Sequence, residues 1–207
     1  MDNAFKHAWP WLALASFLIA MALAGLDVPE YSHWRHPLAL RGATGLPGAW
    51  LFNAGAFWLP GLMLAYAGGT LRPALAGRGG VARIGLTLVQ GSALAFAAQG
   101  LLPLDLRQLD APANRLHALA WMLWWLSFVP GALLLALRGR HGPGFAALSL
   151  VAAAGVPLLA LLVPIAAWVG PAQRLAFLLW FGWWLLAARW LSRSAVSGPG
   201  SAPPART

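Results

Sequence analysis

A short polar stretch between two long apolar runs holds the residues of this sequence that are best suited to chemistry. It reads LPLDLRQLDAPANRLH (102–117) and contains Asp105, Asp110 and His117, in a chain with only five acidic residues. A carboxylate and an imidazole that share a site can act as general acid and general base, and both also bind metal ions. The stretch therefore predicts a polar site, provided that the surrounding elements bring these side chains together.

The composition of the surrounding chain indicates a multi-pass membrane protein. Of its 207 residues, 60% are hydrophobic and 9% are charged, whereas soluble domains carry about 25% charged residues. The chain has no cysteine, which excludes disulfides, thiolate metal sites and cysteine redox chemistry. We assign the net charge of +9 to arginines at helix ends, where they face lipid headgroups. Nucleic-acid binding is not expected, because no basic run is interleaved with aromatic residues.

Six apolar segments have the length of about 20 residues that a helix needs to cross a bilayer. Lipid offers the backbone no hydrogen-bond partner, so we predict an all-α bundle of six transmembrane helices over residues 1–191. The Ser-, Pro- and Gly-rich tail 192–207 is predicted to be disordered. The first segment is interpreted as a retained anchor, because its apolar run is longer than that of a typical signal peptide; cleavage is the alternative. The spans are predicted at 8–26, 47–67, 84–104, 114–137, 144–167 and 174–191.

The distribution of charge predicts how these helices are oriented. With the N-terminus placed in the cytoplasm, most Lys and Arg residues fall on the cytoplasmic side, and all acids except Asp2 fall on the other side. The positive-inside rule therefore predicts a membrane protein with both termini in the cytoplasm. The polar stretch 102–117 then faces outward, as does the other long loop, 27–46.

Four polar residues are predicted to converge on one pocket near the outer face: Asn53, Gln99, Asp105 and His117. Asn53, Gln99 and His117 each lie within about two turns of the outer end of a predicted helix. A polar side chain facing hydrocarbon is costly, so each should face the bundle interior or a wet cavity. In the alternative interpretation, these side chains only specify helix packing, and the two aspartates pair with loop arginines.

A tryptophan stripe on the fourth predicted helix lies just below this pocket. Trp121, Trp124 and Trp125 follow the spacing of one helix side. Packing is the ordinary role of such a stripe, and an aromatic wall for a lipid tail is the alternative. The predicted ligand contacts are His36, Asn53, Gln99, Asp105, His117, Trp121 and Trp124.

The histidine positions do not favour a metal or haem group, and no cofactor is predicted. A metal would require His36, Asp105 and His117 to come together, but no HExxH or comparable spacing is present. Haem bound between two histidines would need both on facing helices, and His117 alone lies clearly on a helix.

Three segments of the sequence resemble a known family. They are YSHWRHPLALRGATGLPGAWLFNAGAFWLPGLMLAY (31–66), GLLPLD (100–105) and RLHALAW (115–121). In these segments the chain resembles the domain-of-unknown-function 998 family, whose members are six-helix membrane proteins of bacteria and archaea. The family usually has a serine followed by Leu-Gly after the His-Pro element, where this chain has ALRG (39–42).

The resemblance implies the six-helix fold and brings no established activity with it. It marks His36, Asn53, Asp105 and His117 as positions that match the family motifs. The function must therefore be inferred from the residues of this chain.

The residues favour a non-enzymatic protein that binds a lipid or small hydrophobic molecule in the outward-facing pocket. The polar groups would hold the headgroup and the tryptophan stripe the tail. An intramembrane hydrolase or transferase is the alternative, with Asp105 and His117 as the acid–base pair, with or without a metal. A small transporter is disfavoured because the two halves lack internal similarity. Membrane lipids are the predicted partners, while oligomeric state and partner proteins stay open.

Overall fold

The computed structural model describes residues 3–26, 28–108, 110–138, 142–163 and 168–196. Within these ranges all regular structure is helical, which confirms the predicted all-α class. Neighbouring helices pack side by side as a bundle, with α5 between α4 and α6. The helices are α1 (Asn3–Leu23), α2 (Leu38–Arg41), α3 (Ala49–Asn53), α4 (Leu59–Leu71), α5 (Gly79–Leu101), α6 (Pro112–Arg138), α7 (Pro143–Pro157) and α8 (Val169–Val196).

Two π-helical turns extend α-helices without ending them. The turn Ala54–Trp58 joins α3 to α4, so that one continuous helical segment, 49–71, covers all but the first two residues of the second predicted span. The turn Leu158–Leu162 follows α7 and begins directly after Pro157. Proline removes one backbone hydrogen bond from the helix, which loosens the local winding. The first turn is also tied to α1, because the Ser16 hydroxyl donates to the Gly55 carbonyl at 2.8 Å.

Several helices are suited by length and composition to cross a membrane. Three long apolar helices qualify among the described residues: Gly79–Leu101, Pro112–Leu137 and Pro143–Leu162. A shorter apolar helix, Ala8–Leu23, coincides with the first predicted span. The chain is therefore a membrane-type helical protein. The last helix, α8, continues to Val196, and residues 197–207 of the predicted tail lie outside the described residues.

A buried aromatic cluster joins the helices at the centre of the bundle. Phe96 of α5 lies within it, with ring centroids 4.8 Å from Trp180 and 6.2 Å from Trp124. Phe17 brings α1 into the same cluster, 4.9 Å from Phe181. Tilted and edge-to-face aromatic pairs of this kind add about 0.5–1.5 kcal/mol each beyond the area they bury. Packing must supply much of the association energy of helices in lipid, where the hydrophobic effect between them is weak.

Glycines allow two helices to approach the backbone of α5 directly. A Cβ atom added to Gly61 of α4 would lie 2.6 Å from the Ala93 carbonyl oxygen. A Cβ atom added to Gly131 of α6 would lie 2.9 Å from the Gly85 carbonyl oxygen. Both distances are too short for a side chain, so the missing Cβ atoms set the spacing of α4, α5 and α6.

Candidate functional site

Three connections meet at one end of the bundle, which we call the loop end. They are the connections between α1 and α2, between α2 and α3, and between α5 and α6. The Thr44 amide donates to the Leu104 carbonyl at 2.8 Å, and the Gly170 amide donates to the Trp34 carbonyl at 3.1 Å. The first bond ties the α2–α3 connection to the α5–α6 connection, and the second ties the α1–α2 connection to the start of α8. All seven predicted ligand contacts lie at this end or on the helices that lead into it.

His117 closes the C-terminal end of α5. Its Nδ1 lies 2.8 Å from the Leu102 carbonyl oxygen and 3.1 Å from the Gln99 carbonyl oxygen. Because both neighbours are acceptors, Nδ1 carries the proton and donates to them. The last carbonyls of a helix lack partners within the helix, so the imidazole caps α5. The structure thus brings His117 and Gln99 together through the backbone of Gln99.

Asp105 organises the connection between α5 and α6. Its amide donates to Asn114 Oδ1 at 2.7 Å, and Asn114 Nδ2 donates back to its carbonyl at 2.9 Å. The Asp105 carboxylate accepts from the Arg107 amide at 2.9 Å. In the described part of the chain, no hydrogen bond or ion pair joins Asp105 to His117. The two predicted acid–base groups therefore lie in separate hydrogen-bond networks.

The proposed metal ligands are not assembled into one cluster. No group of three His, Asp or Glu side chains able to hold a metal ion occurs among the described residues. His36 Nδ1 accepts a hydrogen bond from the Ser32 amide at 3.0 Å, within its own connection. Each of the three side chains forms a hydrogen bond with a backbone atom instead: His36, Asp105 and His117.

Asn53 fastens the segment between α2 and α3. It is 4% exposed, and its Nδ2 donates to the Gly42 carbonyl at 2.8 Å. A Cβ atom on Gly42 would lie 1.9 Å from Asn53 Oδ1, so only glycine fits there. Asn53 also lines a pocket of about 370 Å³ with Trp58 and Pro103. The Asn53 side-chain amide thus both bonds the Gly42 carbonyl and borders this pocket.

The tryptophan stripe belongs to the packed interior. Trp124 is 0% exposed, and its ring centroid lies 5.0 Å from those of Trp121 and Phe177. Trp121 contacts Phe177 at 5.7 Å. Neither tryptophan lines the pocket beside Asn53 or the groove described next.

Arg41 is a buried cation that the sequence did not mark as a site residue. It is 4% exposed; its Nε donates to the Ala24 carbonyl at 2.7 Å and its Nη1 to the Pro47 carbonyl at 2.9 Å. Its guanidinium carbon lies 5.5 Å from the ring centroid of Phe52. No described carboxylate pairs with it. In the sequence Arg41 resembles any loop arginine, and only the fold reveals its burial.

Arg41 lines a second pocket, larger than the one beside Asn53, which we call the α1–α3 groove. Its volume is about 580 Å³. It opens to the surface, because Ile19 is 60% exposed and Leu51 is 62% exposed. Its walls are mainly apolar and come from Leu12, Ile19 and Leu23 of α1 and from Leu51 and Phe52 of α3.

A second buried arginine, Arg174 of α8, holds the connection between α1 and α2. Its Nη1 donates to the Gly170 carbonyl at 2.9 Å and to the His36 carbonyl at 3.2 Å. Its Nη2 donates to the Tyr31 hydroxyl at 2.5 Å and lies 3.2 Å from His33 Nδ1. One guanidinium therefore binds three residues of the connection.

Arg174 also affects the pKa values of two side chains in this connection. Burial lowers the pKa of His33, and the positive charge of Arg174 lowers it further. Burial raises the pKa of Tyr31, although Arg174 acts in the opposite direction through its charge and its hydrogen bond. Both groups are therefore neutral near pH 7, which leaves Arg174 as the cation of the cluster.

Comparison with known proteins identifies the family. The family model described as "Protein of unknown function (DUF998)" matches residues 11–190. The chain belongs to the DUF998 family. No curated protein and no solved structure matches it.

In this DUF998 protein, the four positions that match the family motifs share one kind of contact. Each forms a hydrogen bond with a backbone atom of the loop end. The motifs therefore hold the connections in place, and the open volume lies beside them. The loop end as a whole offers an apolar groove with a guanidinium at one end. The four residues are His36, Asn53, Asp105 and His117.

Proposed function

We propose that this DUF998 protein binds a membrane lipid or a small hydrophobic molecule in the α1–α3 groove. The observation that carries the proposal is the groove itself: about 580 Å³ of open volume with mainly apolar walls. Ligand pockets commonly have volumes of about 300–1,000 Å³ and apolar linings with a few polar groups. The groove falls within this range and has Arg41 as its charged group.

The setting in the bilayer supports a hydrophobic ligand. We propose six spans, both termini in the cytoplasm of a bacterium, and the loop end facing outward from the inner membrane. The positive-inside distribution supports this orientation, and the long apolar helices support the spans. In that setting the mouth of the groove faces hydrocarbon, and a space without atoms would forfeit dispersion contacts along its walls. An acyl chain or a similar apolar group restores those contacts.

A binding role is preferred over an intramembrane hydrolase on geometric grounds. General acid–base catalysis needs the two groups within hydrogen-bond reach of one reacting centre. Asp105 accepts from the Arg107 amide, and His117 donates to the carbonyls at the end of α5. The groove, in contrast, has open volume next to a charged group.

Filling the groove tests the proposal. Ala15 lies on the groove wall and is exposed, so Ala15→Phe adds a ring to the groove without entering the core. Native mass spectrometry of protein released gently from membranes should show a bound lipid or hydrophobic molecule in the wild type. We expect at least about a tenfold loss in Ala15→Phe, equivalent to about 1.4 kcal/mol of binding free energy.

A matched variant separates loss of binding from loss of folding. Ala147 of α7 is also exposed but does not line the groove, so Ala147→Phe should retain the bound molecule. A wild-type protein without any bound molecule would contradict the proposal. Equal retention by both variants would contradict it as well. Metal analysis of the same sample tests the hydrolase alternative, since stoichiometric metal lost in His117→Ala would favour an enzyme.

A further inference from the structure

We infer that the α1–α3 groove selects an anionic phospholipid, whose headgroup phosphate binds the Arg41 guanidinium. The inference rests on the proposed function of the groove and adds the charge class of the ligand. It is carried by the burial and bonding of Arg41, whereas the proposed function is carried by the apolar volume.

The charge of Arg41 has no counter-charge among the described residues. Its two known acceptors are the carbonyls of Ala24 and Pro47, which are neutral. A charge that is 96% withdrawn from water is costly unless it is paired or fully hydrogen-bonded. Carbonyl contacts meet part of this requirement, and an anion would meet the rest.

The unused donors of Arg41 lie beside the groove. The bonds to Ala24 and Pro47 occupy Nε and Nη1, and Nη2 forms no hydrogen bond with a described residue. Gly48 lies next to Nη2: a Cβ atom on this glycine would be 3.6 Å from it. Gly48 also lines the groove and has a φ of +62°, which favours glycine. The approach to Nη2 from this side is therefore not screened by a side chain.

The order of charged and apolar parts along the groove matches a lipid. Arg41 is bonded to Ala24, directly after the end of α1, and Leu23 is the nearest apolar wall residue in sequence. The wall continues along α1 to Leu12, which is about 16 Å away at 1.5 Å per residue. A headgroup at Arg41 and an acyl chain extending toward Leu12 would fill both parts. Arginine suits this role because its guanidinium stays charged, and Nη2 can donate to a phosphate oxygen while Nε and Nη1 bond the backbone carbonyls.

Lipid competition in nanodiscs tests the inference. The full-length protein is placed in nanodiscs of equal parts phosphatidylglycerol and phosphatidylcholine with identical acyl chains, and the retained lipid is counted by native mass spectrometry. We expect the wild type to retain phosphatidylglycerol over phosphatidylcholine by about tenfold, because both lipids carry the phosphate but the choline cation of phosphatidylcholine is repelled by the buried guanidinium. In Arg41→Gln the ratio should fall close to one. Arg41→Lys keeps the charge but lacks the planar set of donors that can bond Ala24, Pro47 and a phosphate together, and should keep an intermediate ratio.

Two controls test whether the preference for phosphatidylglycerol arises in the groove. Arg35→Gln removes an exposed arginine of the neighbouring connection and should leave the wild-type ratio unchanged. Ala15→Phe should release both lipids. A preference that persists in Ala15→Phe would report general attraction by the basic surface and would overturn the inference.

The remaining outcomes distinguish the inference from the proposed function. Equal retention of both lipids by the wild type, with release of both in Ala15→Phe, would overturn the anionic assignment and leave the groove as a lipid site. No retained lipid would overturn both. The wild-type ratio and its loss in Ala15→Phe do not depend on Arg41→Gln, so together they decide the matter even if Arg41→Gln fails to fold.

Discussion

Side chains at the loop end mostly bind backbone atoms of other segments. His117 donates to two carbonyls at the end of α5, Asn53 donates to the Gly42 carbonyl, and Arg174 donates to the carbonyls of Gly170 and His36. Backbone groups that leave regular helix near lipid need partners, because hydrocarbon provides none. Polar residues at helix ends thus stabilise irregular backbone that an apolar environment would otherwise disfavour.

The contact between Arg174 and His33 predicts an acid-sensitive connection. Arg174 donates to His33 Nδ1, so protonation of this nitrogen would remove a hydrogen bond and place two cations 3.2 Å apart. The folded-state pKa of His33 is lowered, so the unfolded chain binds its proton more readily. Stability from this group is therefore complete above the unfolded pKa of about 6.5 and is lost as the pH falls toward the folded pKa.

Thermal unfolding in detergent at pH 8 and pH 5 measures this effect. His33→Gln keeps an acceptor for Arg174 but does not titrate, so its Tm should fall less between the two pH values than that of the wild type. Solvent reaches His33, so the difference should be small, about 2 °C. At pH 8 the two proteins should unfold at similar temperatures. An identical drop in both on acidification would rule out His33 as a source of the acid sensitivity.

The sequence predicted residue roles at the loop end only in part. The polar types and depths of Asn53, Gln99 and His117 predicted that they turn inward, and all three are buried. The partners of Asn53 and His117 could not be predicted, because they are backbone carbonyls, which no residue type reveals. Arg41 could not be predicted for a related reason: its burial depends on α1 and the α2–α3 connection folding around it.

The lengths of the apolar runs predicted where the helices lie, but not the residues at which the helices begin and end. The third span was predicted at 84–104, and α5 covers Gly79–Leu101. Hydropathy measures the part that fits hydrocarbon, whereas a helix ends where its backbone finds a cap. At α5 these points are Gly79, with a φ of +81°, and the carbonyls capped by His117. Neither feature contributes to an apolar run.

Close contact between α5 and α6 predicts that alanine substitution at Gly131 and at Gly91 has different effects on stability. A Cβ atom on Gly131 would lie 2.7 Å from Val89 Cγ1 and 2.9 Å from the Val89 amide nitrogen, so Gly131→Ala must push the helices apart. We expect the unfolding free energy to fall by about 1–3 kcal/mol, the usual cost of overpacking. Gly91→Ala is the matched control, since a Cβ atom there meets no described atom within 4 Å.

Thermal unfolding of both variants under one detergent condition compares them. Gly91→Ala should leave Tm unchanged or raise it slightly, because alanine favours helix by up to about 1 kcal/mol. Gly131→Ala should lower Tm clearly. Equal Tm values for the two variants would mean that α5 and α6 are less closely packed than their backbone contacts indicate.

The orientation of the whole molecule decides which leaflet of the membrane the α1–α3 groove lies in, and therefore which lipids could reach the proposed site. The chain has no cysteine, so single introduced cysteines can report exposure without background. Arg35 and Gln108 are exposed at the loop end, and Gly77 is exposed in the connection at the opposite end of α5. Ser201 lies outside the described residues and marks the C-terminal tail.

Labelling with a membrane-impermeant maleimide should divide these positions into two groups. Arg35→Cys and Gln108→Cys should react in intact spheroplasts, whereas Gly77→Cys and Ser201→Cys should react only after the membrane is opened. This pattern requires an odd number of crossings between Gln108 and Ser201, as six spans with a cytoplasmic C-terminus demand. The reverse pattern would place Arg41 and its groove at the cytoplasmic leaflet, where anionic lipids of that leaflet would be the available ligands. Reaction of Gly77→Cys and Gln108→Cys from the same side would mean that α5 does not cross the membrane, and the six-span arrangement would fail.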